Sequence, residues 1–401
     1  MNLINLDIDT IRLGTPLPYA LWAADGALLA RKGFVVRSRN ELDVLVARGR
    51  TLCVDVDESG EHHRAYVGKL YDLVRDEKPL GQIATMKIVG GDLDAGRRRE
   101  DVGPPDWVEL QTRANTLLRT SSHPEFLIKL DRLYEELRGH ALHHPDAALC
   151  ALIHMSASEI RSYSATHAML VCVICSIAAR DVLQWPDDTQ ASLGKAALTM
   201  NISMTAMQDL LAVQTSPLTA EQIRTIEQHA ERSVTLLQRL GVTDNIWLEG
   251  VRRHHDRAPG PLAEKALEVR VARLIQRADV FSARLSPRAS RLPMSPTAAM
   301  QASYFDEEHQ VDEAGASLIK AVGVHSPGSF VRLASNEIAI VIRRGPNTTA
   351  PRVAVVINKH GLPTGEPIVR DTSQPPYKIT GSVAHRDVKV QIQMDRLLAL
   401  I

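Results

Sequence analysis

Twice along this chain the spacing of apolar residues changes its period. From Trp107 to about Val322 they recur at three and four positions, as on helices packed through one face, with few strand signals between. Residues 1 to about 60 read instead as short strands and turns. In PLPYALWAADGALLARKGFVV the pair Asp25-Gly26 separates two apolar runs, a hairpin pattern, and ELDVLVARG reads as a helix. Residues 61–106 turn polar and end in DLDAGRRREDVGPPDW, where Gly, Pro and charge cluster as in a linker. Arg97-Arg98-Arg99 there is followed at once by Glu100 and Asp101, so a solvated segment is the simpler reading than a phosphate site. From about Gly323 the chain is β-rich: SFVRLASNEIAIVIRRG and PRVAVVINKHGLP carry SNE and KHG as turns. A self-contained small barrel is the simplest form for this last module, with Arg332, Arg343 and Arg344 exposed. The expected fold is α+β and multidomain: a central, mostly α-helical bundle (107–322) flanked by small β-rich N- and C-terminal modules (1–60 and 323–401).

Charge excludes some functions. The 401 residues hold 47 Lys+Arg against 47 Asp+Glu, so no net charge draws in nucleic acid or an acidic membrane surface. No apolar run of about 18 residues predicts membrane insertion, and MNLINLDIDT lacks the basic flank and apolar stretch of an export signal; a cytoplasmic protein is expected. Four scattered cysteines fit a reducing compartment. Cys172 and Cys175 form a CxxC, but inside the apolar run AMLVCVICSIAA and with no second pair at zinc spacing, so they read as core thiols. His140, His143 and His144, in GHALHHPD, read as a solvated helix end and turn.

Polar residues on apolar faces are more informative. In ATHAMLVCVICSIAA, His167 falls on the stripe of Leu170, Val171, Ile174 and Ala178. Asp279 lies one turn beyond Ile275 at the edge of the face of Val271, Leu274, Ile275 and Ala278, while Arg270, Arg273, Arg277 and Arg284 fall largely elsewhere. A carboxylate so placed needs a partner or a metal. His229 follows Ile226 by one turn, in a helix whose start, Thr219-Ala-Glu-Gln222, has capping-box spacing and whose end is marked by Gly241. His254 and His255 are adjacent and cannot enter one ligand shell from a continuing helix; Pro259 and Gly260 show that the helix ends. Together these segments offer nitrogen and oxygen ligands suited to a single divalent iron, manganese or zinc ion, or else polar groups that hydrogen-bond one another inside the bundle. LTMNISM stands apart. Ala197, Met200, Asn201, Met204 and Met207 make a thioether-rich inward stripe that reads as packing.

From about Tyr163 to Met300, and more weakly along the whole chain, this pattern resembles the HD-GYP family, the branch of the HD phosphohydrolase superfamily associated with hydrolysis of cyclic di-GMP. The resemblance matches His167 to the histidine of an early family helix, and Leu198–Met204 to the LLHDIGK signature. It matches Pro217-Leu218-Thr219 with His229 to a PLT-and-histidine helix, His254-His255-Asp256 to HHE, Ala278-Asp279-Val280-Phe281-Ser282-Ala283 to ADVFDA, and LSPRASRLPMSP to an arginine-rich turn. It implies His167, His229, His254, His255 and Asp279 as residual metal ligands. Met200, Asn201 and Met204 stand where the family has a ligand His, a bridging Asp and a Lys near phosphate, and Arg257-Ala258-Pro259-Gly260-Pro261-Leu262 replaces the loop DGSGYP.

The expectation is therefore an HD-GYP-like bacterial signalling protein that is catalytically silent and acts through contacts with other signalling proteins. One alternative is a mononuclear metal-dependent phosphohydrolase using the surviving His/Asp set. Another is a cyclic dinucleotide receptor that does not cleave its ligand, resting on Arg288 and Arg291. The sequence leaves a homo-oligomer open and assigns the C-terminal module no chemistry.

Overall fold

The computed structural model describes residues 3–6, 8, 11, 13–14, 16–17, 19–49, 51–55 and 106–401, the last range without 258 and 346. Contacts divide the chain into two compact units, Met1–Gly103 and Pro104–Ile401. In the first, strands β1 (Leu3–Asn5), β2 (Leu21–Ala23), β3 (Leu28–Ala30) and β4 (Leu52–Asp55) form an antiparallel sheet in the order β1-β4-β2-β3. Gly26 turns the β2–β3 hairpin at φ +86°, with the Asp25 carboxylate accepting from the Ala27 amide at 3.0 Å. Helix α1 (Arg39–Gly49) buries Leu42 and Leu45 among Leu21, Leu52 and Val54. Of the expected linker 61–106 only Asp106 belongs to the described residues; Arg97-Arg98-Arg99 lies outside them.

The second unit opens with Asp106 capping α2 (Trp107–Arg119), its carboxylate accepting from the Val108 and Glu109 amides at 3.0 Å. Then come α3 (Phe126–His143), α4 (Pro145–Ser158), α5 (Tyr163–Ile177), α6 (Asp187–Thr199), α7 (Thr205–Val213), α8 (Ala220–Arg239), α9 (Asn245–Arg253), α10 (Leu267–Leu285), α11 (Pro296–Tyr304) and α12 (Glu313–Val322). Every residue of α5 is buried. With the π-turn Ala178–Val182 it is long and apolar enough to cross a membrane, but 83% of that window is enclosed by the bundle, and it serves as the core helix. Cys172 and Cys175 sit on it as fully buried thiols; burial pushes the Cys172 thiol up to about 12. The α8 capping box is present in both directions, and Gly241 at φ +97° closes the helix, with Val242 N–H reaching back to Leu237 O at 3.0 Å.

Three expectations about these helices are corrected. His140 is buried rather than solvated, because α3 continues for a turn beyond it and packs its ring against Trp107 at 5.5 Å; only His143 and His144 are exposed. Arg273 and Arg277 face inward and are 2% and 4% exposed, since Glu307 and Asp312 supply buried counter-charges. The Met stripe is not one helix. α6 stops at Thr199, Ile202–Met204 is a single 3₁₀ turn, and α7 restarts at Thr205. Ser203 explains the break: its amide donates to Ser233 Oγ at 3.2 Å and its hydroxyl to the His229 carbonyl at 2.8 Å, drawing the turn onto α8. Ala197 and Met200 are buried, while Asn201, Met204 and Met207 are half-buried.

Strands β5 (Phe330–Leu333), β6 (Ile338–Arg343), β7 (Arg352–Ile357), β8 (Pro363–Asp371) and β9 (Ile379–Val383) form an antiparallel sheet in the order β8-β7-β6-β5-β9. Asn336 and Gly361 take positive φ in the expected turns. Among the described residues the sheet is open, with β8 and β9 as edges, and it is not self-contained as the barrel expectation had it. Phe330, Ile340, Ile342, Ala354 and Val356 form a core with Cys150 of α4. Gly328, at φ +85°, comes so close to α4 that a β-carbon there would meet the Cys150 carbonyl at 2.5 Å. Arg343 is exposed as expected and Arg332 reaches Asn336, but Arg344 pairs with Asp146 in the first turn of α4 at 2.6 Å. Short helix α13 (Met394–Leu398) completes this side, burying Leu397.

Candidate metal centre

Two of the expected ligand segments meet in one place. His229 reaches it from the middle of α8, where the amphipathic pattern turns it inward. His254 and His255 reach it from the end of α9, which stops at Arg253 so that both imidazoles can leave the helix axis. The Nε2 atoms of His229 and His254 lie 3.1 Å apart, and those of His229 and His255 3.3 Å apart. All three ligand nitrogens fall within 4.8 Å of one another. His229 and His254 are 2% and 0% exposed, whereas His255 is exposed, so the cluster has an open side.

Tautomers follow from the backbone. His229 Nδ1 lies 2.5 Å from the Ile226 carbonyl and His254 Nδ1 lies 2.6 Å from the Val251 carbonyl. A carbonyl can only accept, so both Nδ1 atoms carry hydrogen. Burial holds both imidazoles neutral, lowering His229, with the Ile226 contact opposing, and pushing His254 down to about 3, helped by its neighbour His255. Two bare Nε2 lone pairs are then left facing each other at 3.1 Å. Two acceptors in that position repel unless a proton or a cation lies between them. Tetrahedral zinc at about 2.0–2.1 Å from each imidazole nitrogen sets neighbouring nitrogens about 3.3–3.4 Å apart, close to the spacings here. The carbonyl contacts to Nδ1 are the outer partners that fix a ligating histidine. This donor set fits one divalent ion.

His167 and Asp279 are engaged with each other instead. His167 Nε2 lies 2.8 Å from Asp279 Oδ1 and its Nδ1 lies 2.9 Å from Ser282 Oγ. Burial works against ionising Asp279, but the His167 hydrogen bond and charge, with smaller contributions from His254 and His255, hold its carboxyl well below the usual carboxylate range. Ser282, His167 and Asp279 read in space like a hydrolase triad. Ser282, however, is fully buried and sits on the same helix as Asp279, so no substrate can reach its hydroxyl.

Sequence reasoning missed what surrounds this pair. Tyr163, one turn before His167, stacks on its ring at 5.4 Å and 15°, and the i, i+4 spacing could have found it. Arg288 lies over Tyr163 at 5.0 Å and donates to its hydroxyl at 2.8 Å. Arg291 is turned back to the Ala283 carbonyl. Both arginines of the expected ligand turn thus already have partners.

The segment Leu198–Met204 lies beside the trio, tied to the His229 carbonyl through Ser203. It brings Met200, 1% exposed, and Asn201, whose amide oxygen is buried without a hydrogen-bond partner among the described residues. Neither carries charge.

No protein-family profile matches the sequence. A cyclic di-GMP phosphodiesterase of Pseudomonas aeruginosa is 25% identical over 229 residues, 56% of this chain and 54% of the relative. This similarity supports a relationship to the HD-GYP family. It spans about half the length of the curated relative it matches. Among solved structures, an HDG"Y"P protein of Bdellovibrio bacteriovorus aligns with a TM-score of 0.40 and 13% identity, covering 80% of this chain and 99% of that one. In this chain His229, His254 and His255 meet as a trio, whereas His167 and Asp279 are paired with each other.

Proposed function

We propose that this chain is an HD-GYP-type signalling protein, cytoplasmic, that has lost the hydrolysis of cyclic di-GMP and works through contacts with other signalling proteins. The helical stretch 107–322 is then its HD-GYP-like unit, with 1–60 and 323–401 as accessory modules. One observation carries this reading: the segment Leu198–Met204 beside the histidine trio offers Met200 and Asn201 and no carboxylate, while Asp279 is already hydrogen-bonded by His167. Phosphodiester hydrolysis by paired metals needs an anionic bridge to hold the ions together and positive charge facing the phosphoryl group. Met204 supplies no such charge, and losing either element raises the barrier by several kcal/mol, a loss of orders of magnitude in rate. The test is incubation of the full-length protein with cyclic di-GMP and Mn²⁺ or Fe²⁺. No linear dinucleotide is expected; turnover that disappears in His254→Ala and His255→Ala would overturn the reading.

A second reading is favoured by the convergence of three imidazole nitrogens: a single ion held by His229, His254 and His255, with His167 and Asp279 nearby, serving a mononuclear phosphohydrolase. Such an ion supplies Lewis acidity and an acidified water when bound. The chain's own contribution is the neutral, pre-oriented imidazoles of His229 and His254 and the open side at His255. A nucleotide receptor built on Arg288 and Arg291 has less support, because Tyr163 and the Ala283 carbonyl already occupy those guanidiniums.

A further inference from the structure

Gln276 lies on α10, 7% exposed, and takes no part in the trio itself. Its amide oxygen accepts from Arg273 Nη1 at 2.5 Å and from Arg277 Nη2 at 3.4 Å. That fixes which end of the amide is oxygen, so the NH₂ faces the other way, and there it donates to the backbone carbonyl of Asp256 at 3.1 Å. Asp256 immediately follows His255. The two arginines are themselves immobilised. Arg273 pairs with Glu307 at 3.0 Å and Asp312 at 2.6 Å, and Arg277 with Glu307 at 2.5 Å. A few residues further on, Glu313 accepts from the Leu262 amide at 2.6 Å. Both ends of the loop that replaces the GYP segment are therefore tied to the α10 and α12 side of the bundle.

The consequence falls on His255. It is the exposed member of the trio, it lies beyond the end of α9, and among the described residues no hydrogen bond to its Nδ1 orients it as the carbonyls of Ile226 and Val251 orient the other two. Its ring position is set by the backbone from His254 to Asp256. One end of that backbone is held by Asp256 N–H to the Arg253 carbonyl at 2.8 Å and the other by Gln276. We infer that Gln276, oriented by Arg273 and Arg277, is a positioning residue that latches the His254–Asp256 turn and holds His255 against His229. This rests on the trihistidine reading of the site.

The test compares full-length wild type with Gln276→Leu and Gln276→Glu. The second variant keeps an oxygen for the arginines and adds charge that favours them, while an acceptor replaces the donor to Asp256. Zn²⁺ affinity, measured by competition with a chromophoric chelator, is expected to fall about 10- to 100-fold in both variants, as for other outer partners of metal ligands, while the melting temperature of Gln276→Glu stays near wild type. In metal-free protein, carbethoxylation of His255 followed by mass spectrometry is expected to be faster in both variants. If wild type binds no Zn²⁺ but His255 is still released by the substitutions, the latch stands and the metal reading fails. If wild type binds Zn²⁺ and both variants match it in affinity and His255 reactivity, the latch is wrong.

Discussion

Two groups of histidines in the second unit have reached opposite arrangements. At the trio, each of two Nδ1 atoms is spent on a carbonyl of its own helix and the Nε2 atoms turn toward a common point. At the seam between α4 and the C-terminal sheet, His154 and His385 lie with ring centroids 5.5 Å apart, both against Phe330. There His385 Nε2 is used on the Gly328 carbonyl, and His154 Nδ1 is buried with no partner among the described residues. Rings meet in both places, but only at the trio do bare ring nitrogens face one another among the described residues. Burial alone does not make a histidine a ligand. What does is a first nitrogen satisfied locally and a second left bare in company.

Three measurements would sharpen or break that contrast. The largest effect is expected at the seam. Phe330→Ala removes a ring that is 2% exposed and touches both seam histidines, and is expected to destabilise the protein by about 3–5 kcal/mol in denaturant titration. The trio's Zn²⁺ affinity should not change. A shift in affinity would show that the two sites are one system. Next, His254→Ala should lower Zn²⁺ affinity by about 100-fold or more, as loss of one ligand in a three-ligand site, while His385→Ala leaves bound metal at the wild-type level by elemental analysis. Equal losses would erase the distinction. The third measurement reads pH dependence. Burial lowers His154 to about 4, and burial together with His154 lowers His385 to about 3, against 6.5 when unfolded. The unfolded chain therefore binds more protons below pH 6.5. The stability these two neutral imidazoles contribute is present above pH 6.5 and is lost as pH falls, by up to about 1.4 kcal/mol per pH unit for each, levelling out near pH 4 to 3. His385→Phe should flatten the slope between pH 6.5 and 4.5. Glu307, brought to about 2 by Arg273 and Arg277 in spite of its burial, acts in the same direction but only below about pH 4.5, leaving the upper window to the histidines.

Local order explains which parts could be read from the residues. The capping box at Thr219, the Asp25-Gly26 hairpin and the inward facing of His167 and His229 follow from spacing within one element, where helix and strand geometry leave little freedom. The break at Met200 was not legible, because its cause is Ser203 bonding to α8. Helical spacing puts Arg273 and Arg277 largely off the apolar face of Val271, Leu274, Ile275 and Ala278. Their burial depends on Glu307 and Asp312, more than 25 positions away, which no periodicity on α10 can announce. For the site, residue types pointed to five candidates. Only tertiary geometry separates three of them into a converging set and two into a closed pair.

The contact at Gly328 bears on how the unit can move. With the backbone there pressed to the Cys150 carbonyl and no room for even a methyl group, no side chain at that point can swing aside to let the sheet glide along α4. Any side chain introduced at this position would therefore have to push the strand away from α4. The seam reaches further in two ways: α4 packs in turn on α5, which bears His167, and the module is also pinned to α12 through Arg344 and the Ala321 carbonyl.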